Sequence, residues 1–130
     1  MTTDTENKSL DVLIVEDEPD ICYLLSSILK KRNLHTTYVT TLFAAQKELN
    51  IINPDILIID NHLPDGFGVD FILHLKRTHP HTKIVMITAH DTLDDKSLAL
   101  KHGVDYFIGK PFTGTAIIET VDILLQSIIK

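Results

Sequence analysis

Four carboxylates, one hydroxyl and one ammonium stand directly after apolar runs of this chain. Glu16, Asp17 and Glu18 follow the run 10–15, and Asp60 closes Ile56-Leu57-Ile58-Ile59. Thr88 closes a third run, and Lys110 follows a fourth within Gly109-Lys110-Pro111-Phe112. Carboxylates gathered without basic partners repel one another, so they either take up protons or hold a cation. Hard oxygen donors with room for water suit Mg²⁺ (or Mn²⁺), which leaves coordination positions for phosphate oxygens. Adding a hydroxyl and an ammonium makes a set suited to phosphoryl transfer. Asp60 would supply the attacking oxygen, Lys110 and the metal would neutralise charge, and Thr88 would bind one phosphoryl oxygen. Singly, each residue has a plainer reading. Acidic residues solvate loops, threonine favours strands, and a lysine before proline is usually solvated. The inference therefore depends on whether the fold brings them to one rim.

The spacing of apolar residues predicts that it does. Residues 10–15 read as a strand, and Ile21, Leu24, Leu25, Ile28 and Leu29 recur at helical spacing after Pro19. A second strand is expected over 36–39, then a helix on Leu42, Ala45, Leu49 and Ile52 capped by Thr40 or Thr41. The run 56–59 is apolar throughout, as in a central strand covered on both faces. A third helix is expected over 66–78 with Val69, Ile72 and Leu73 inward, and a fourth strand over 83–88. A weak helix over 91–102 ends at Gly103, a fifth strand covers 104–108, and Thr113 caps a last helix lined by Ile117, Val121, Leu124 and Ile128. Five successive βα units require a mostly parallel sheet with helices on both faces. The expected fold class is α/β, a five-stranded parallel sheet of order 2-1-3-4-5 in a flavodoxin-like three-layer αβα sandwich. Its crevice lies at the carboxyl ends of strands one and three, where Glu16, Asp17, Glu18 and Asp60 would meet.

Composition narrows the choice of function. The 130 residues fit one domain, and the net charge of −6 disfavours general binding to nucleic acid or anionic membrane. The single cysteine, Cys22, excludes an internal disulfide and reads as a small, partly buried helix residue. Residues 1–8 read as a flexible polar lead-in to one domain over 9–130. The chain opens on no charged-then-apolar leader and has no run of membrane-spanning length, so a cytoplasmic location is expected.

With these residues in place, the sequence resembles the receiver domain of two-component response regulators over about residues 10–129. The resemblance is carried by Val-Leu-Ile-Val-Glu-Asp-Glu at 12–18, Pro-Asp-Ile-Leu-Ile-Ile-Asp at 54–60 and Leu-Pro-Asp-Gly-Phe-Gly at 63–68, with Ile-Thr-Ala at 87–89 and Lys-Pro-Phe at 110–112. It implies a phosphoacceptor at Asp60, fed by a sensor histidine kinase or a phosphotransfer protein. Asp17 becomes a direct metal ligand, Glu16 acts mainly through metal-bound water, and the backbone carbonyl of His62 is the third protein ligand. Thr88 and Lys110 bind phosphoryl oxygens, and small Ala89 keeps access to Asp60 open. The family's Lys–Pro bond is cis, which implies the same at Lys110–Pro111. The aromatic switch position falls on Phe107, where many members carry tyrosine, so its response would be read through packing alone. Tyr106 reads as core filling on an edge strand.

Other residues bear on lifetime and partners. His62 and His90 flank the site, and one imidazole is expected to tune how long the acyl phosphate lasts, with solvated loop histidines as the plain alternative. The other five histidines show no ligand spacing. A second apolar line on the last helix, Ile118, Leu125 and Ile129, is expected to join the fourth helix and fifth strand in a homodimer or partner surface. Rival readings are a phosphorylation-independent interaction module and an aspartyl-phosphate hydrolase of haloacid dehalogenase type. The latter places its nucleophile after the first strand, unlike Asp60. A nucleotide or flavin binder would need a glycine-rich loop after strand one.

Overall fold

In the computed structural model, residues 10–90 and 92–129 are described, with Ile129 by its backbone alone. The lead-in 1–8 and the expected helix start at Asp91 lie outside these residues. The strands are β1 (Asp11–Val15), β2 (His35–Val39), β3 (Ile56–Ile59), β4 (Lys83–Thr88) and β5 (Tyr106–Gly109). The helices are α1 (Pro19–Lys30), α2 (Leu42–Leu49), α3 (Gly68–Thr78), α4 (Leu93–His102) and α5 (Gly114–Ile129). All pairs within this five-stranded sheet are parallel and its order is β2-β1-β3-β4-β5, so the expected topology is observed.

Strand periodicity divides the core into two layers. Val12 and Ile14 of β1, Ile56 and Ile58 of β3, and Val85 and Ile87 of β4 pack under α1 and α5. The alternate residues, Leu13, Val15, Leu57, Ile59, Ile84 and Met86, pack under α2, α3 and α4. Both faces are dry, which is why the central strands read as unbroken apolar runs. All four β3 side chains are at most 2% exposed, and burying each contributes about 1.5–3 kcal/mol. β3 is thus an immobile base for Asp60.

Helix ends follow local chemistry. The hydroxyls of Thr41, Thr92 and Thr113 accept the amides of Ala44, Asp95 and Ala116 at 3.0, 3.1 and 3.0 Å. Gly103 ends α4 at φ +111°, a left-handed conformation that glycine adopts without a Cβ penalty.

Four expectations need correction. Residues 66–67 do not open α3. They pair with His62–Leu63 in a short antiparallel hairpin, and the helix begins at Gly68. Leu73 is 47% exposed, and Leu75 takes its inward place because it lies one turn from Ile72 on the buried face. Tyr106 is an exposed residue on the edge strand rather than core filling, while Phe107 packs against the α2–α4 layer. Ile118 and Leu125 are partly buried against the α1–α5 core, and among the described residues the exposed large apolar residue of α5 is Ile123; the Ile129 side chain lies outside them.

Candidate functional site

The carboxyl ends of β1 and β3 lie side by side because the strands pair in register, Val15 against Ile59. The Asp60 amide donates to the Val15 carbonyl at 3.0 Å, which pins the residue after β3 to the end of β1. Glu16, Asp17, Glu18 and Asp60 consequently converge, each with one carboxylate oxygen within 4.8 Å of the others. Glu16 and Asp60 are buried, whereas Asp17 and Glu18 are exposed. The sheet topology therefore gathers the four carboxylates that the sequence places after strands one and three.

Lys110 enters this cluster from the loop after β5. Its amide donates to the Thr88 carbonyl at 2.9 Å, continuing the β4–β5 ladder, and its peptide bond to Pro111 is cis as expected. Lys110 Nζ donates to Glu16 Oε1 at 2.8 Å, Asp60 Oδ2 at 3.0 Å and Glu18 Oε1 at 3.3 Å. One ammonium thus serves three carboxylates. Burial works against the Lys110 charge, but its hydrogen bonds to the Glu16 and Asp60 carboxylates outweigh it and raise its pKa well above the usual lysine value. Burial raises the Glu16 carboxyl above its usual value, and the Lys110 hydrogen bond only partly offsets that. Glu16 Oε2 also accepts the Glu18 amide at 3.2 Å, so both oxygens are engaged.

The remaining predicted residues lie on or just after β3, β4 and β5. Thr88 is buried at the end of β4, and its hydroxyl accepts the His90 amide at 3.3 Å. The His62 amide donates to Asp60 Oδ1 at 3.2 Å. The His62 ring stacks on His90, with centroids 3.8 Å apart, and meets the edge of Phe67 at 5.2 Å. His62 Nδ1 is buried without a hydrogen-bond partner, whereas His90 is exposed. Phe107 lies under the Lys96 ammonium, 5.8 Å from its ring centroid, a contact spacing that supports a cation–π attraction between α4 and β5.

Two residues of the loop after β3 were not singled out from the sequence. Asn61 is 8% exposed, and it accepts the Gly68 amide through its carbonyl at 2.7 Å and the Val69 amide through Oδ1 at 2.9 Å. Asp65 accepts the first-turn amides of α2, Leu42 and Phe43, at 2.9 Å each. The signal available for Asp65 was its place in a Pro-Asp-Gly turn, which says nothing about a helix 22 residues upstream. For Asn61 the signal was a polar residue directly after Asp60, just beyond an apolar strand.

A buried aspartate just after a central strand, a facing acidic loop and an inserted lysine define a receiver-type signalling module. The chain belongs to the response regulator receiver domain family, whose model matches residues 12–122. It is 39% identical over 99 residues to the response regulator protein PilR of Pseudomonas aeruginosa, covering 76% of this chain and 22% of that protein. It is 31% identical over 119 residues to the phosphate regulon transcriptional regulatory protein PhoB of Escherichia coli, covering 90% of this chain and 52% of that protein. The chain thus spans about half or less of these curated relatives. Its structure is similar to the beryllofluoride-activated NtrC4 receiver domain dimer, with TM-score 0.85 and 32% identity over 90% of this chain and 97% of that one. As a receiver domain, it serves phosphorelay signal transduction in two-component systems, where receiver domains act as switches. Among the described residues, no helix is long and apolar enough to cross a membrane.

Proposed function

We propose that Asp60 accepts a phosphoryl group from a sensor histidine kinase or phosphotransfer protein, with Mg²⁺ (or Mn²⁺) bound, and that residues 9–130 form the receiver unit. The observation that carries this reading is the contact of Lys110 Nζ with Asp60 Oδ2 inside a cluster of four carboxylates. The donor set fits a hard divalent cation, since it consists of carboxylate oxygens close enough to share one ion. Asp17 and Asp60 would hold the ion directly with the His62 carbonyl, and Glu16 would act through bound water. When bound, the ion supplies charge neutralisation and orientation for the phosphoryl oxygens.

In the transfer, an Asp60 carboxylate oxygen attacks phosphorus. The bond between phosphorus and the donor's imidazole nitrogen breaks, and the electron pair stays on that nitrogen. Lys110 turns from its carboxylate partners to a phosphoryl oxygen, and the Thr88 hydroxyl exchanges the His90 amide for another. Phosphorylation adds about −1.5 to −2 charge at the rim, which draws Thr88 inward and shifts the packing of Phe107. His62 and His90 tune the lifetime of the acyl phosphate, and unchanged lifetimes in His62→Ala and His90→Ala would end that assignment. The α4–β5–α5 face, with Leu93, Leu98, Leu100, Tyr106 and Ile123 exposed, forms the homodimer or partner surface. Direct nucleic-acid or membrane binding is not part of this reading, which places the domain in the cytoplasm.

The test is incubation with Mg²⁺ and acetyl phosphate, or with beryllofluoride, read by intact mass and NMR with Asp60→Ala as control. A gain of one phosphoryl mass that needs both Mg²⁺ and Asp60 is expected. Modification elsewhere, or none, overturns the reading.

A further inference from the structure

We infer that Asn61 is a positioning residue for divalent-cation binding at the acidic rim. The inference rests on the proposed metal-binding role of Asp60 and the His62 carbonyl, between which Asn61 lies. The hydrogen bond of its side chain goes to Val69 of α3 rather than to a proposed ligand atom. It acts by riveting the segment that carries them to the first turn of α3.

Three observations converge on this. Asn61 is 8% exposed although its side chain is polar. Both of its oxygens are used on consecutive amides of α3, Gly68 N to the main-chain carbonyl at 2.7 Å and Val69 N to Oδ1 at 2.9 Å. These amides lie in the first turn of α3, where no intrahelical acceptor exists, and Phe67 at the helix start makes no side-chain cap. A residue remote in sequence therefore fills the capping role. Gly68 permits the approach, because a Cβ there would stand 2.7 Å from the Asp60 carbonyl oxygen and 3.2 Å from the Asn61 Cα. Upstream, the Asp60 amide is held by the Val15 carbonyl. The tripeptide 60–62 is thus fastened on one side to β1 and on the other to α3, with Asn61 supplying both bonds to the first-turn amides of α3, beside the His62–Phe67 hairpin pairing.

A cation bound by a side-chain oxygen and a main-chain oxygen of one short segment needs that segment's backbone held still. Groups that orient ligands without touching the metal commonly contribute about 10–100-fold to affinity. Of the acceptors used here, only Asn61 Oδ1 can be removed by mutation, since the other is main chain.

The experiment measures Mg²⁺ and Mn²⁺ affinity by NMR titration of the full chain at fixed ionic strength. Asn61→Leu keeps the volume and removes the acceptor, and it is expected to weaken affinity about tenfold. Asn61→Asp keeps an acceptor oxygen in place and is expected to bind at least as tightly as the wild-type chain. Asp65→Ala removes the cap of α2 from the same loop and is the control for general destabilisation; its affinity is expected to be unchanged. Should Asn61→Leu fail to fold, Gly68→Ala presses the same fastening apart and is expected to show the same loss. Wild-type affinity in Asn61→Leu, or in Gly68→Ala used in its place, overturns the inference, as does an equal loss in Asp65→Ala. Absence of Asp60-dependent binding in the wild-type chain overturns the underlying metal reading instead.

Discussion

Asp60→Asn should stabilise the metal-free domain while abolishing its response to magnesium. Asp60 faces three other carboxylates with oxygens within 4.8 Å and one ammonium at 3.0 Å. With an effective dielectric constant near 20, each like-charged pair costs at least about 3.5 kcal/mol and the ion pair returns about 5.5 kcal/mol. Removing one charge therefore relieves about 10 kcal/mol of repulsion against a loss of about 5.5 kcal/mol. Asp17 and Glu18 are exposed, so solvent screening reduces the net gain to about 1–2 kcal/mol. For a domain of this length that is a rise in Tm of about 3–10 °C. Magnesium at ten times its Kd should stabilise the wild-type chain by about 1.4 kcal/mol, and Asp60→Asn by far less. Thermal melts by circular dichroism, in EDTA and in Mg²⁺ at constant ionic strength, measure both quantities. An Asp60→Asn variant that melts at or below wild type in EDTA, or that keeps the full magnesium increment, refutes the reasoning.

Other outcomes follow from single residues. Burial, with the nearby Glu16 and Asp17 charges, raises the Cys22 thiol to about 11, so Ellman's reagent should not react with the folded chain at pH 8 and should react once urea unfolds it. The Glu16 carboxyl titrates above its ordinary 4.5, so its ionisation disfavours the fold; metal-free stability should rise as pH falls from neutral toward 4.5, and Glu16→Gln should flatten that slope in urea titrations. Asp65 is held below its ordinary 3.8 by the Leu42 and Phe43 amides, so its contribution is present above that value and lost as pH falls beneath it. Asp65→Ala should lower the melting temperature at pH 7 and should lose that difference in strong acid.

The sheet and the acidic rim were legible because both rest on strong patterns. Unbroken apolar runs mark strands covered on two faces, and residues just beyond them must lie at one rim of a parallel sheet. That logic placed Glu16, Asp17, Glu18 and Asp60 together and delivered Lys110 to them. It failed where contacts are not periodic. Nothing in the local sequence links Asp65 to α2 or Asn61 to α3, since each bond joins segments brought near only by the finished fold. Leu73 was misassigned because a helical stripe can be read one residue off, and Leu75 completes the true buried face. The apolar line of Ile118 and Leu125 was legible as apolar, but α5 is covered more widely than its inner stripe suggests. The places of His62 and His90 in the sequence likewise gave no hint that their rings stack.

The two walls of the acidic rim differ in stiffness. On the β3 side, Asn61 and Asp65 bind the loop to α3 and α2 through four hydrogen bonds. On the β4 side, the first residues past the strand are exposed, Thr88 holds His90 by one 3.3 Å bond, and Ala99 is the only residue of α4 that is fully buried. A charge added between unequal walls does mechanical work on the softer one. The domain is therefore built like a cantilever with its clamp at β3, and under the proposed phosphorylation of Asp60 the α4 side is the one that would yield.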